Sequence, residues 1–192
     1  MPFLVRHPHV EAEVVFNDRY VNLVEEGFDL AIRVGVPADT TARGRKLAES
    51  RRYLVASPAY VRSRGRPSVP RDLRSHECIT HGDSATPIWR FAKGGARDRP
   101  VSVRGRMSVN NSEAALELAR GGLGIALLAD WLVAAHVRRR QLVRLLQDYE
   151  TPSAAVYALT PPGRYTPAPV RALLEHVAES LPRGMKLTAA RR

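Results

Sequence analysis

Three residues that lie close together in the sequence, His76, Cys78 and His81, are of types that can bind a metal ion. Their spacing fits no standard zinc pattern, and no second pair of ligands is visible in the sequence. Cys78 is the single cysteine of the chain, so no disulfide framework can form. We interpret Cys78 as a structural cysteine at the start of a strand, and we predict no metal site.

Signatures of catalysis are absent from the sequence. It contains no G-x-S-x-G elbow, no phosphate-binding loop and no H-E-x-x-H motif. The stretch GGLGIA at 121–126 has G-x-G but lacks the third glycine. It also follows a predicted helix, whereas a dinucleotide-binding motif precedes one. We therefore predict no catalytic residues, no cofactor and no enzymatic activity.

The polar group that could bind a ligand is formed by Asn110, Asn111 and Ser112, just before the pattern of a short alanine-rich helix. A helix start leaves backbone N–H groups unpaired and carries a partial positive charge. The polar side chains there add neutral hydrogen-bond donors, so the site is suited to a carboxylate or a similar anion. The alternative is a purely structural cap, which is the usual role of asparagine and serine at this position.

The surrounding pattern predicts the elements that position these residues. Two strand–helix–strand units are expected. One has strands at 10–16 and 29–35, with a helix that is capped by Asn17 or Asp18, carries Tyr20 on its apolar face and ends at Gly27. The other has strands at 101–109 and 125–129, with a helix whose buried stripe is formed by Ala114, Ala115, Leu118 and Ala119. The alternation of strands and helices favours an α/β fold with mostly parallel sheets. Further strands are predicted at 52–57, 88–91, 142–145 and 154–161, and further helices at 58–65, 130–137 and 166–181.

The composition is that of a folded, basic protein: 192 residues, 44% of them hydrophobic, with a formal net charge of +11. This length allows a core in one domain or in two small lobes. The arginines that carry the charge are scattered, so we attribute them to overall composition rather than to a nucleic-acid-binding arm. No apolar stretch approaches the length of a membrane span, and no signal peptide is evident. We predict a cytoplasmic location and no membrane partner.

Four stretches, at 3–35, 51–79, 109–133 and 142–181, resemble in order the effector-binding domain of LysR-type transcriptional regulators. The subgroup of the family that carries FDLAIRVG and SPAYV is especially similar to this sequence. The resemblance implies an α/β, two-lobed fold similar to type 2 periplasmic binding proteins, with two crossover strands and a small-molecule cleft between the lobes. Its implied boundaries are 1–55 plus 160–182 for the first lobe, 56–159 for the second, and 183–192 for a flexible tail.

The same resemblance implies where an effector would bind. By position, the family's contacts fall on Arg33 and Gly35 after the FDLAIRV strand, on Ser57 near a crossover, and on Asn110, Asn111 and Ser112. The expected ligand is a small anionic metabolite, with which Arg33 could form charge-assisted hydrogen bonds. For Arg33 a surface salt bridge near Asp29 is the equal alternative.

Two parts of the family pattern are missing from this sequence. There is no winged helix-turn-helix, so we expect DNA to be bound only through an N-terminal domain that the chain lacks. The initial strand of the first lobe is also missing, which would leave its neighbours without ladder partners. We expect the first lobe either to rearrange, by pairing of 10–16 with 29–35, or to be marginally stable.

These observations predict the sensor domain of a LysR-type regulator, acting as a homodimer or paired with a full-length regulator. Two alternatives stay open. One is a solute-binding transport protein of the same fold, which the missing signal peptide disfavours. The other is a truncated interaction protein that pairs with full-length regulators.

Overall fold

The chain folds into two compact units, each containing its own β-sheet. The computed structural model describes residues 2–17, 22–35, 43–82, 87–95, 99–163 and 165–189. The first unit comprises Met1–Ser50 and Ala154–Arg192, and the second comprises Arg51–Ser153.

The second unit is built on a mixed five-stranded sheet in the order β7-β4-β8-β3-β9. Strand β4 is parallel to both β7 and β8, whereas β3 is antiparallel to β8 and β9. A separate antiparallel pair, β5 and β6, covers part of the core. The strands are β3 (Arg52–Ala56), β4 (Cys78–His81), β5 (Ile88–Phe91), β6 (Arg99–Ser102), β7 (Ser108–Val109), β8 (Ile125–Ala129) and β9 (Val143–Leu145).

In its described residues the second unit also contains three α-helices and a 3-10 helix: α2 (Pro58–Arg64), the 3-10 helix Pro70–Ser75, α3 (Ser112–Arg120) and α4 (Asp130–Arg138). Both faces of the sheet are covered, because successive residues of β3 enter different clusters. Leu54 packs with Tyr60, Leu73 and Phe91 on one face. Val55 packs on the other face with apolar side chains of α3 and α4. This explains the continuous apolar sequence of β3.

The helix after Asn111 is confirmed, but its buried side differs from the predicted stripe. Ala115, Leu116 and Ala119 are buried, whereas Ala114 is exposed. The structure also corrects the expected dominance of parallel pairing. Among the described strands, only the ladders made by β4 are parallel.

The first unit contains a three-stranded antiparallel sheet in the order β1-β10-β2. Its strands are β1 (Ala31–Val34), β2 (Arg43–Ser50) and β10 (Ala154–Thr160), and its helices are α1 (Pro2–Arg6) and α5 (Ala168–Ala189). Phe3 of α1 is buried, and its ring lies 5.5 Å from that of His176 on α5. The central strand of this sheet, β10, comes from the C-terminal part of the sequence, far from β1 and β2 along the chain.

The predicted strand at 10–16 is wrong. Residues 10–17 form no ladder in the structure, and Val14, Val15 and Phe16 are exposed. Strand β1 pairs with β10 instead, with Arg33 opposite Tyr157. The expected pairing of 10–16 with 29–35 is therefore also wrong: among the described residues the ladder partner of β1 is β10, and β1 is the edge strand of the sheet.

The helix predicted between these two strands is reduced to a turn in its described part. Asn22 caps this turn, since its Oδ1 accepts from the N–H groups of Val24 and Glu25. Gly27, with φ of 71°, ends it as predicted. Residues 18–21, where the prediction placed the start of the helix and Tyr20, lie outside the described residues.

The chain passes between the two units at Ser50–Arg51 and at Ser153–Ala154. The predicted lobes, 1–55 plus 160–182 and 56–159, have their boundaries a few residues later. The difference arises because β3 lies wholly in the sheet of the second unit and β10 wholly in that of the first. Residues 183–189, predicted to begin a flexible tail, belong to helix α5.

No helix in the described part of the chain is both long enough and apolar enough to cross a membrane.

Candidate functional site

Helix α3 is capped at its N-terminus by Asn111, and the polar surface of this end is exposed. The backbone of Asn111 is extended (φ −138°, ψ 132°), and its side-chain Oδ1 accepts a hydrogen bond of 2.9 Å from the N–H of Ala114. Asn110 and Asn111 are both exposed, and Ser112 is half-buried. The side chain of Asn111 thus satisfies one of the amides of the first turn, and the partial positive charge of this end faces solvent beside Asn110.

The strands below hold this helix start in place. The N–H of Gly82 donates to Val109 O at 2.9 Å, and Ser108 Oγ donates to Gly82 O at 2.9 Å. Gly82 follows β4 directly, and β4 runs parallel to β7. The carboxyl ends of two parallel strands therefore lie side by side next to Asn110. In α/β sheets, ligands commonly bind beyond this end of the strands.

Ser57 lies away from this position. It is 3% exposed, and its Oγ accepts from the N–H of Tyr60 at 3.1 Å, capping α2. Ser57 follows the C-terminal end of β3, whereas Arg52, at the other end of that strand, pairs with Ala129 at the end of β8. Since β8 is parallel to β4, Ser57 lies beyond the N-terminal ends of these two strands and Asn110 lies beyond their C-terminal ends. The structure does not bring these two predicted site residues together.

Arg33 and Gly35 belong to the first unit. Arg33 is half-buried, and its Nη1 donates to Asn17 O at 2.8 Å. This backbone contact, rather than a salt bridge near Asp29, is the one the structure gives for its guanidinium. Gly35 has φ of 108° and donates its N–H to Ala155 O at 2.9 Å. A positive φ of this size favours glycine, so Gly35 sets the direction in which the chain leaves β1.

The residues first considered as metal ligands point to separate environments. The ring of His76 lies 5.9 Å from that of Tyr60 at a tilt of 46°, and its Nδ1 lies 3.1 Å from the tyrosine Oη. Cys78 is 1% exposed, with its Sγ 3.7 Å from Leu73 O. His81 is exposed at the far end of β4. Within the described ranges, no group of three or more His, Cys, Asp or Glu side chains is arranged to hold a metal ion.

Cys78 is expected to be unreactive in the folded chain. Burial, with a smaller contribution from the charge of Glu77, raises the pKa of its thiol to about 12. Alkylation by iodoacetamide at pH 8 should therefore be at least about 100-fold slower in the folded chain than in urea. The same shift predicts that the free energy of unfolding falls as pH rises above the ordinary thiol pKa, because the folded chain then retains the proton that the unfolded chain loses. Equal labelling rates with and without urea would contradict this prediction.

Asn111→Ala tests the cap. The substitution removes the acceptor for the N–H of Ala114 and should lower the free energy of unfolding by about 1 kcal/mol, measured by urea denaturation. Asn110→Ala is the matched control, because Asn110 is exposed and does not cap the helix, and it should change stability by less than about 0.5 kcal/mol. A similar loss in both variants would show that the hydrogen bond is not what stabilises the helix start.

The sequence pattern missed two features of the second unit. One is Tyr60, whose Oη accepts from the N–H of Glu77 at 3.0 Å and so joins α2 to the entry of β4. The other is a basic basin formed by Arg74, Arg104 and Arg106. The arginines were visible in the sequence, but their convergence depends on contacts between distant segments. Trp131 is 38% exposed in the first turn of α4.

Comparison with known proteins gives a consistent result. The model of the LysR substrate binding domain family matches residues 1–182. The transcriptional regulator PtxR of Pseudomonas aeruginosa is 38% identical over 185 residues, which are 94% of this chain and 58% of that protein. This chain therefore spans 58% of the length of that regulator. The relatives of this chain, PtxR and CrgA among them, are transcriptional regulators rather than enzymes.

Solved structures agree with this result. The regulatory domain of CrgA, a LysR-type transcriptional regulator from Neisseria meningitidis, superposes with a TM-score of 0.83 at 26% identity, covering 94% of this chain and 88% of that one. Full-length AphB from Vibrio cholerae superposes with a TM-score of 0.80 at 24% identity, covering 93% of this chain and 60% of that one, and supports the fold alone. The predicted α/β fold, similar to periplasmic binding proteins, is confirmed.

Proposed function

We infer that this chain, which belongs to the LysR substrate-binding domain family, senses a small anionic metabolite and through it controls transcription. The observation that carries the ligand class is the exposed start of α3. There the first-turn amides and the side chain of Asn110 lie where β4 and β7 end. This arrangement favours a carboxylate or a similar anion, because it offers hydrogen-bond donors and a partial positive charge.

We propose Asn110, Asn111 and Ser112 as effector contacts of the second unit and, separately, Arg33 and Gly35 as effector contacts of the first unit. Arg33 is included because a guanidinium can donate two parallel hydrogen bonds to a carboxylate. Among the described residues its guanidinium donates to Asn17 O through Nη1, and a guanidinium has five N–H donors. Ser57 is left out, because its hydroxyl is buried and caps α2.

The proposed mechanism is a shift between conformations of the sensor. An effector can change the activity of a regulator only to the extent that it binds one conformation more tightly than the other. We place the DNA contact in a winged helix-turn-helix outside this chain, and we propose a dimer or a pair with a full-length regulator as the assembly. A regulator of transcription acts where the chromosome lies, so we propose a cytoplasmic location. We also propose that the chain has no catalytic activity.

A thermal-shift experiment tests this proposal. The 192-residue chain is titrated with benzoate and succinate, an aromatic and an aliphatic carboxylate, and with glucose as a neutral comparison. A carboxylate that binds should raise the midpoint of unfolding with increasing concentration, as expected for a ligand of the folded state. Asn110→Ala and Arg33→Ala should each reduce that shift.

Arg62→Ala is the matched control, because Arg62 is exposed on α2, which begins at the end of the sheet opposite to Asn110. It should leave the shift unchanged. A rise with glucose and none with either carboxylate would overturn the ligand class. A rise with a carboxylate that is equal in Asn110→Ala, Arg33→Ala and the control would overturn the proposed site.

A further inference from the structure

A second polar site lies at the other end of β4, within the second unit. It is a basin of about 310 Å³ lined by the end of the 3-10 helix, the entry to β4 and the segment before β7. Its lining residues are Arg74, Ser75, His76, Glu77, Arg104, Gly105 and Arg106. Three arginines and one glutamate thus line the same basin.

The basin is held together by close contact between two backbone segments. The N–H of Cys78 donates to Arg104 O at 3.0 Å. A Cβ built on Gly105 would lie 1.9 Å from Cys78 O, so only glycine allows the two segments to approach this closely. The backbone geometry therefore holds Arg104 and Arg106 beside the entry of β4.

The charges within the basin are only partly compensated. Arg106 is paired with Glu77, whose Oε2 lies 3.7 Å from the guanidinium Nε and 3.1 Å from the backbone N of Arg106. For the part of the chain that the structure describes, no carboxylate forms an ion pair with Arg74 or Arg104. Burial, the largest effect, lowers the pKa of His76, so the positive charge near neutral pH comes from the arginines.

We propose that this basin binds a phosphate group, with Arg74 and Arg104 as its ligands and Arg106 oriented by Glu77. Guanidinium groups suit phosphate oxygens because their planar forks donate parallel hydrogen bonds to them. The exposed backbone at Gly105 lets the ligand approach closely, and the volume admits a phosphate together with part of the molecule that carries it.

This site is separate from the proposed effector site. Glu77 precedes β4 and Asn110 lies beside the end of β4, and that strand is 4 residues long. At about 3.3 Å per residue the strand separates the two positions by about 13 Å. The proposal does not rest on the identity of the effector, and either site can be lost without the other.

Isothermal titration calorimetry of the 192-residue chain tests the proposal with two probes, sodium pyrophosphate and a short DNA duplex of arbitrary sequence. Ionic strength is held constant with chloride, since screening weakens every exposed charge interaction. Arg74→Gln and Arg104→Gln should each weaken binding by about tenfold, the loss expected for a charge-assisted hydrogen bond. Arg71→Gln is the matched control: Arg71 is exposed on the same 3-10 helix but does not line the basin.

The outcomes separate the two sources of the phosphate. Pyrophosphate binding that both basin variants weaken and Arg71→Gln preserves supports a free phosphate compound as the ligand. Duplex binding with the same pattern, in competition with pyrophosphate, supports the phosphates of a nucleic acid. Failure to bind either probe, or an equal loss in the control variant, overturns the proposal.

An NMR measurement on the unsubstituted chain does not depend on any variant folding. The amide resonances of Gly105 and Arg106 should shift as pyrophosphate is added, at lower concentrations than any shift of the Asn110 amide. A shift at Asn110 with none at Gly105 would overturn the assignment to the basin.

Discussion

Gly105→Ala should destabilise the second unit by about 4 kcal/mol, which is at the upper end of what a single added methyl group does. The new Cβ would lie 1.9 Å from Cys78 O and 2.8 Å from Cys78 N. These are backbone atoms of a central strand, so no side-chain rotation can relieve the overlap. The segments must separate, and the hydrogen bond from Cys78 N–H to Arg104 O is then lost.

Urea denaturation followed by tryptophan fluorescence measures this effect in the second unit alone. Both tryptophans, Trp89 and Trp131, lie between Arg51 and Ser153. The control is Gly121→Ala, at the end of α3. There φ is −69° and the nearest atoms to an added Cβ are 3.4 Å away, so we expect a change below about 1 kcal/mol. Equal effects of the two substitutions would show that the close approach at Gly105 does not limit stability.

Phe91→Ala should lower the free energy of unfolding of the second unit by about 3–5 kcal/mol. Phe91 is 1% exposed and belongs to the buried cluster that includes Tyr60, Leu73 and Trp89. Removing its ring takes away the hydrophobic transfer energy and leaves a cavity. The surrounding strands and the 3-10 helix hold that cavity open, so it can be filled only in part.

Ile88→Ala is the matched control for Phe91→Ala, because both residues lie on β5 and Ile88 is 53% exposed. Its expected cost is below about 1 kcal/mol, and the same fluorescence measurement in urea applies. If Ile88→Ala costs as much as Phe91→Ala, the two-stranded β5–β6 ladder does not pack on the core through the face that carries Phe91.

Most elements of the second unit could be predicted from local patterns. The proline at the start of α2, the asparagine before α3 and the apolar runs of β3 and β8 each act within a few residues. Such signals are sufficient because capping and amphipathicity depend on neighbours along the chain.

The first unit was predicted less well. The sequence at 10–16 alternates as a strand should, yet it makes no ladder, and β1 pairs with β10 instead. A strand forms only when a partner supplies hydrogen bonds, and the partner of β1 is more than a hundred residues away along the chain. The pattern of 10–16 indicates a capacity for pairing and not the pairing itself.

The sequence alone therefore determined the family, the α/β class and the capped start of α3, since these rest on ordered motifs and local spacing. The tertiary structure alone decided which of the predicted site residues meet. It placed Ser57 and Asn110 beyond opposite ends of the strands of one sheet and brought Arg74 together with Arg104. The physical reason is that strand order and register are set by hydrogen bonds and packing between distant segments, which no local pattern encodes.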